Sequence, residues 1–130
     1  MLALDTNTVI YFFKGMGRVA ENLGKEAPRD IAIPAVVLYE LEVGIAQSSH
    51  PRQRRESLDA LLEVIHILPF DESAASASAE LRARLEKAGS GIGPMDTLIG
   101  GTALAHAATL VTHNTKEFSR VRGLRLLDWY

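Results

Sequence analysis

Short apolar runs and longer amphipathic stretches alternate along the whole of this chain. Met1-Leu2-Ala3-Leu4 is continuous in its apolar character, and a run this short without polar alternation reads as a strand buried on both faces. Three more runs resemble it: Asp30 to Pro34, closed by its proline, Val64 to Phe70, and Thr109-Leu110-Val111-Thr112. A last strand is expected in Leu124 to Trp129. Between these runs the period lengthens. Thr8 to Gly15 reads as a short helix that Gly15 and Gly17 end, and Gly17 to Ala27 as a second helix. Ala35 to Gln47 is predicted helical because Val37, Leu38, Leu41 and Ile45 fall on one stripe. Ser48-Ser49-His50-Pro51 breaks the pattern, and Arg52 to Glu63 resumes it with Leu58, Leu61 and Leu62 on one side. Asp71 stands where it can cap an alanine-rich helix running to Ala88. Gly89 to Asp96 is the most turn-prone segment. Leu98 to Ala108 is helical again, and Thr115 to Val121 forms a short helix.

Strand and helix in alternation predict an α/β fold: a parallel sheet of four to five strands with helices on both faces, a three-layer α/β/α arrangement. No linker, repeat or low-complexity tract interrupts the pattern, so residues 1–130 are expected to form a single domain. Ligand sites in such sheets lie at the carboxyl ends of the strands, near the point where strand order reverses. Asp5 falls at the carboxyl end of the first strand.

Composition narrows the reading only in places. The chain has 130 residues, 47% hydrophobic and 23% charged, enough to bury about two-thirds of the surface of its unfolded form. Cysteine is absent, which excludes disulfides and thiolate metal sites. No basic segment precedes the first apolar run and Asp5 interrupts it. No run approaches the ~18 residues of a membrane span, so a cytoplasmic protein is expected. A net charge of −2 argues against a surface that attracts nucleic acid everywhere. It is compatible with a local basic patch, or with an enzyme that holds a phosphate substrate through bound cations.

The candidate chemistry lies in acidic and amide side chains, each with an ordinary structural explanation. Asp5 suits a turn. Asp96 follows Gly93-Pro94, where Pro94 fits the first helical position and the helix dipole favours a carboxylate. Asn114 has Glu117 three residues later, the spacing of a capping box. Glu40 has Val36, Val37, Val43 and Gly44 around it; Glu42 has a similar setting, and periodicity does not choose between them. The topology nevertheless brings Asp5, Asp96 and Asn114 toward one edge of the sheet. Carboxylates gathered in one cleft raise one another's pKa unless a cation neutralises them. Mg²⁺ and Mn²⁺ take oxygen ligands, and Mg²⁺ shares its shell with substrate phosphates.

The segments "LDTNTVI", "LYELEVGI", "GPMDTLIGGTALAHAATLVTHNTKEF" and "LRLLDW" resemble a PIN-domain ribonuclease, specifically the VapC toxin of a VapBC toxin–antitoxin pair. The resemblance spans nearly the whole chain and is most specific in Pro-x-Asp-x-x-Ile followed by Leu-Val-Thr-x-Asn. Carried over by motif, it implies catalytic and metal-binding roles for Asp5, for Glu40 (the Glu of Glu-Leu-x-x-Gly, in preference to Glu42) and for Asp96. The fourth position, often Asp in the family, is Asn114 here, and the hydroxyl on which the family often relies is that of Thr112. The resemblance further implies a PIN-like sheet, Mg²⁺-dependent cleavage of RNA with Mn²⁺ as a substitute, and a homodimer. It also implies a VapB-type antitoxin partner, through which alone the protein would reach operator DNA.

Two alternatives follow from the same residues. Asp5-Thr6-Asn7-Thr8-Val9 approaches the first motif of haloacid-dehalogenase-type phosphatases, but Asn7 cannot protonate a leaving group as the second Asp of that motif does. A PIN-like subunit serving mainly as partner to a DNA-binding protein is the other. His50, His66, His106 and His113 show no ligand spacing, and only His113, beside Asn114, is expected near the site. Gly89 to Gly93 lacks the Lys-Ser/Thr of a phosphate loop. The arginines at 52, 54 and 55 and the basic residues at 82, 84 and 87 read as solvated helix faces, with Lys14 and Lys116 better placed for RNA. Tyr11, Phe12 and Phe13 exceed what one buried helix face accommodates, so part of this cluster is expected at an interface with a dimer mate or antitoxin.

Overall fold

A computed structural model describes all residues, Met1 to Tyr130. The strands are β1 (Leu2–Leu4), β2 (Ile31–Pro34), β3 (His66–Leu68), β4 (Thr109–Val111) and β5 (Leu126–Leu127). The helices are α1 (Thr6–Lys14), α2 (Val19–Leu23), α3 (Ala35–Ala46), α4 (Pro51–Leu62), α5 (Glu72–Lys87), α6 (Pro94–Ala105) and α7 (Thr115–Phe118), with a 3-10 turn at Pro28–Asp30. All five strands join one sheet of order β3-β2-β1-β4-β5, and every neighbouring pair is parallel. Helices on both faces complete the three-layer α/β/α arrangement. No helix is long and apolar enough to cross a membrane.

The strand order explains where a site can form. The chain builds outward from β1 through β2 to β3, then returns to the other side of β1 as β4 and continues to β5. The reversal therefore falls between β1 and β4, whose carboxyl ends open a crevice. Leu4, Ile31, Ile33, Leu110 and Val111 are fully buried on the sheet, and Val9, Val37, Leu58, Leu81, Ile99 and Phe118 cover it from the helices. With both faces covered, the strands need no polar alternation, which is why they are continuous apolar runs.

Several elements are shorter than the sequence pattern predicts. Of Val64 to Phe70, only His66–Leu68 is strand, because β3 pairs only with β2, whose last residue Pro34 leads straight into α3. The expected helix from Gly17 to Ala27 shrinks to Val19–Leu23. Gly17 adopts φ +60°, and the position its Cβ would occupy is 2.9 Å from Tyr130 Cα, so this turn is a seat for the C-terminal residue. Helix α6 starts at Pro94 rather than Leu98 and stops at Ala105, before left-handed Ala107 (φ 52°). Thr115 to Val121 keeps only Thr115–Phe118 as helix, after which Arg120 and Val121 tighten into bonds to carbonyls three residues back. Helices α5 and α6 meet at backbone contact: a Cβ on Gly101 would lie 2.0 Å from Ser78 Oγ and 2.6 Å from Ser78 Cα.

Candidate acidic site

Asp5 follows β1 directly and is the N-cap of α1, and both its oxygens are engaged. Oδ1 accepts the Thr8 N–H at 2.9 Å, capping the helix, and Oδ2 accepts the Thr112 hydroxyl at 2.6 Å. Thr112 follows β4 directly and is fully buried. Its hydroxyl oxygen in turn accepts the Asn114 N–H at 3.0 Å. The Thr8 hydroxyl and the Asp5 N–H both bond the Val111 carbonyl, fastening the start of α1 to the end of β4. The crevice at the reversal point is thus floored by a carboxylate that is only 5% exposed and whose direction is fixed from both strands.

Glu40 reaches the same place from the middle of α3, where Thr6 donates its hydroxyl to Oε1 at 2.5 Å. Glu42 goes elsewhere: both its oxygens accept from the Arg55 guanidinium of α4, and that partner holds its carboxyl below the usual range. The two glutamates are thereby distinguished by packing. Asp96 lies at the third position of α6, after Gly93 and Pro94. Its carboxyl is raised from an ordinary 3.8 to about 6, first by burial, then by hydrogen bonding and repulsion from Glu117, and then by the charges of Asp5 and Glu40.

Glu117 is the group that the sequence reading missed. The spacing from Asn114 to Glu117 suggested a capping box, but the Asn114 side chain caps no backbone N–H. Instead its Nδ2 donates to Glu117 Oε2 at 2.7 Å, so the amide steers a fourth carboxylate into the cluster beside Asp96. The available signal was the placement of α7: a one-turn helix starting at the carboxyl edge of β4 keeps its first-turn carboxylate at that edge.

Asp5, Glu40, Asp96 and Glu117 therefore gather at the β1/β4 crevice. Their side-chain partners are hydroxyls, amides and one another, and none pairs with Lys, Arg or His. No three of them converge to metal-holding distance of a single point, but an all-oxygen set with surplus negative charge is the donor chemistry that hard divalent cations take. His113 turns away from the cluster. Its Nδ1 bonds Asp128 at 2.9 Å and its ring stacks on Tyr130, with centroids 4.3 Å apart. Tyr11 meets both rings edge-on. Asn7, the residue on which a phosphatase reading turned, is exposed and makes no side-chain hydrogen bond.

Comparison with known proteins agrees with this geometry. The PIN-domain family model matches residues 2–124. The tRNA(fMet)-specific endonuclease VapC of Shigella flexneri is 33% identical over 126 residues, covering 97% of this chain and 96% of the relative. Ribonuclease VapC2 of Rickettsia felis is 36% identical over 134 residues, with the same coverage. The crystal structure of VapBC2 from Rickettsia felis bound to a promoter DNA fragment superposes with a TM-score of 0.92 at 37% identity, covering 99% of this chain and 98% of that one. The chain belongs to the PIN-domain family, in the branch of its VapC ribonuclease toxins. Its reaction is the hydrolysis of RNA, and the phosphatase alternative drops away.

Proposed function

We propose that Asp5, Glu40 and Asp96, joined by Glu117, hold the divalent cation on which RNA cleavage by this toxin depends, and that the cation is Mg²⁺ with Mn²⁺ as substitute. The observation that carries this reading is a cluster of four carboxylates with no cationic side chain, in which Asp96 is driven toward its protonated form. A site that strained its own ionisation gains from a divalent cation what no Lys or Arg supplies. Mg²⁺, when bound, supplies an acidified water and positive charge opposite the scissile phosphate. The protein's contribution is orientation. Thr112 fixes Asp5, Thr6 fixes Glu40, and Asn114 positions Glu117 through its amide, so Asn114 and Thr112 act by aligning ligands. The buried floor of the crevice limits competing solvent around Asp5.

Water attack on phosphorus forms the new P–O bond as the P–O3′ bond breaks, and the departing 3′ oxygen takes a proton. The fragments then carry a 5′-phosphate and a 3′-hydroxyl. Cleavage is expected to stop in EDTA, return with Mg²⁺ or Mn²⁺, and be poorly supported by Ca²⁺, whose looser shell positions water less well. Cyclic 2′,3′-phosphate ends, or undiminished cutting in EDTA, would refute the metal reading.

Relatives assembled as VapBC complexes support a VapB-type antitoxin as the neutralising partner here, with operator DNA contacted through that partner. A homodimer and a cytoplasmic location complete the proposal. Mixing purified chain with its cognate antitoxin should give a complex that no longer cuts RNA.

A further inference from the structure

A groove of about 290 Å³ runs between α1, α3 and α4, and Glu40 is one of the residues lining it. Glu40 is the one member of the acidic cluster on its wall, so the groove adjoins the cluster there. Its apolar wall includes Ile10 and Phe13 of α1, and its rim carries Lys14, Gln53 and Arg54. The arginines of α4 divide by face. Arg52 pairs with Glu56, and Arg55 with Glu42 and Asp59. Arg54 forms no ion pair and faces the groove, as does Lys14 from the opposite wall. Glu40 is the only carboxylate lining this space. Two unneutralised cations beside a centre made of carboxylates do not serve that centre's own charge balance, because neither pairs with it. They suit an anion that enters the groove from the cluster.

We propose that this groove is the subsite for the RNA strand adjoining the scissile phosphate, with Lys14 and Arg54 on a neighbouring backbone phosphate and the Phe13 wall against its base. The proposal rests on RNA as the substrate and on Glu40 as part of the centre. A guanidinium and an ammonium on opposite walls match a phosphate between them, and an apolar wall with an aromatic ring is what an unpaired base packs on without sequence preference. An apolar peptide segment would use the same wall but would leave both rim cations without a counter-charge, which disfavours it.

The test is binding of a fluorescent single-stranded RNA, read by anisotropy across a salt series with Ca²⁺ in place of Mg²⁺ to limit cutting. The Lys14→Ala/Arg54→Ala variant removes two surface cations and should keep its melting temperature. It is expected to bind several-fold more weakly and to lose about 0.7 from the magnitude of the salt slope, the value for one phosphate contact on a single strand. Gly44→Trp supplies an independent variant: it lines the groove, and a Cβ there meets nothing within 4 Å. Filling the groove this way should weaken binding in a stably folded protein. Arg52→Ala, outside the groove, should bind as wild type does. Unchanged affinity and slope in both groove variants would overturn the subsite, as would a loss confined to antitoxin binding. Wild type that binds RNA through the groove but fails to cut it in Mg²⁺ would support the subsite and defeat the metal reading instead.

Discussion

Replacing Asp96 by Asn should make the metal-free protein more stable, and the gain should appear only above a definite pH. A rise of the Asp96 carboxyl from 3.8 to about 6 corresponds, at 1.36 kcal/mol per pH unit, to at most about 3 kcal/mol of folding free energy. Partial exposure of the site reduces the expected value to about 1–2 kcal/mol. The sign follows from where the proton resides. Below pH 3.8 the folded and unfolded chains both carry it, so folding suffers no penalty. Between about pH 4 and 6 the unfolded chain releases a proton that the folded chain still holds, and stability declines. Above about pH 6 the full penalty is present. Asn carries no such charge and can still hydrogen-bond Glu117. The assay is urea unfolding of wild type and Asp96→Asn in EDTA from pH 4 to 8. The two curves should meet near pH 4 and separate to about 1–2 kcal/mol by pH 7, equivalent to roughly 3–8 °C in Tm for a domain of this size. Glu42, Asp71 and Asp128, whose carboxyls are held low by hydrogen bonds and charged partners, titrate in both proteins and cancel in the difference. Saturating Mg²⁺ should stabilise wild type more than the variant, because a ligand bound to the native state adds to stability. A pH-independent difference, or a less stable variant at pH 7 in EDTA, would refute the account of the cluster as mutually repelling carboxylates.

Other outcomes follow from single contacts. Thr112→Val keeps the shape but leaves Asp5 Oδ2 and the Asn114 N–H without their partner, so it should lose about 2–3 kcal/mol in urea unfolding and lower kcat beyond the folded fraction. Asn114→Asp exchanges a donor to Glu117 for a like charge; Asp fits the cap position but should reduce cleavage at low Mg²⁺ and recover as Mg²⁺ is raised, measured as a right-shifted metal titration. Gly101→Ala drives a methyl into the Ser78 backbone and should cost several kcal/mol, whereas Gly100→Ala meets its nearest neighbour at 3.5 Å and should unfold within about 1 kcal/mol of wild type. Ser78→Ala removes a buried hydroxyl without a partner and should leave stability unchanged or raise it by about 1 kcal/mol.

What the sequence determined was the set of elements and the carboxyl edge on which chemistry would gather. Continuous apolar runs such as Leu2–Leu4 and Thr109–Val111 are unambiguous because a strand covered on both faces tolerates no polar alternation. Asp5, Asp96 and Asn114 are placed by their position just after a strand or just inside a helix, a local property. The extent of elements was less legible, because it depends on partners distant in sequence: β3 is as long as the stretch of β2 beside it, and α2 starts where Tyr130 sits on Gly17.

Tertiary structure alone decided how the side chains at that edge are used. Glu40 and Glu42 are two residues apart on one helix with similar neighbours in sequence, and only the arrival of Arg55 from α4 takes Glu42 out of the site. Glu117 had a sufficient local explanation as a cap, and only the proximity of Asp96, brought by α6, makes it a fourth carboxylate. His113 neighbours Asn114 in the chain, yet at the bend after β4 it bonds Asp128 and stacks on Tyr130, away from the cluster. In each case the sequence fixes which groups are available, while their charge state and partners depend on through-space distances of a few ångströms between elements, to which local periodicity is blind.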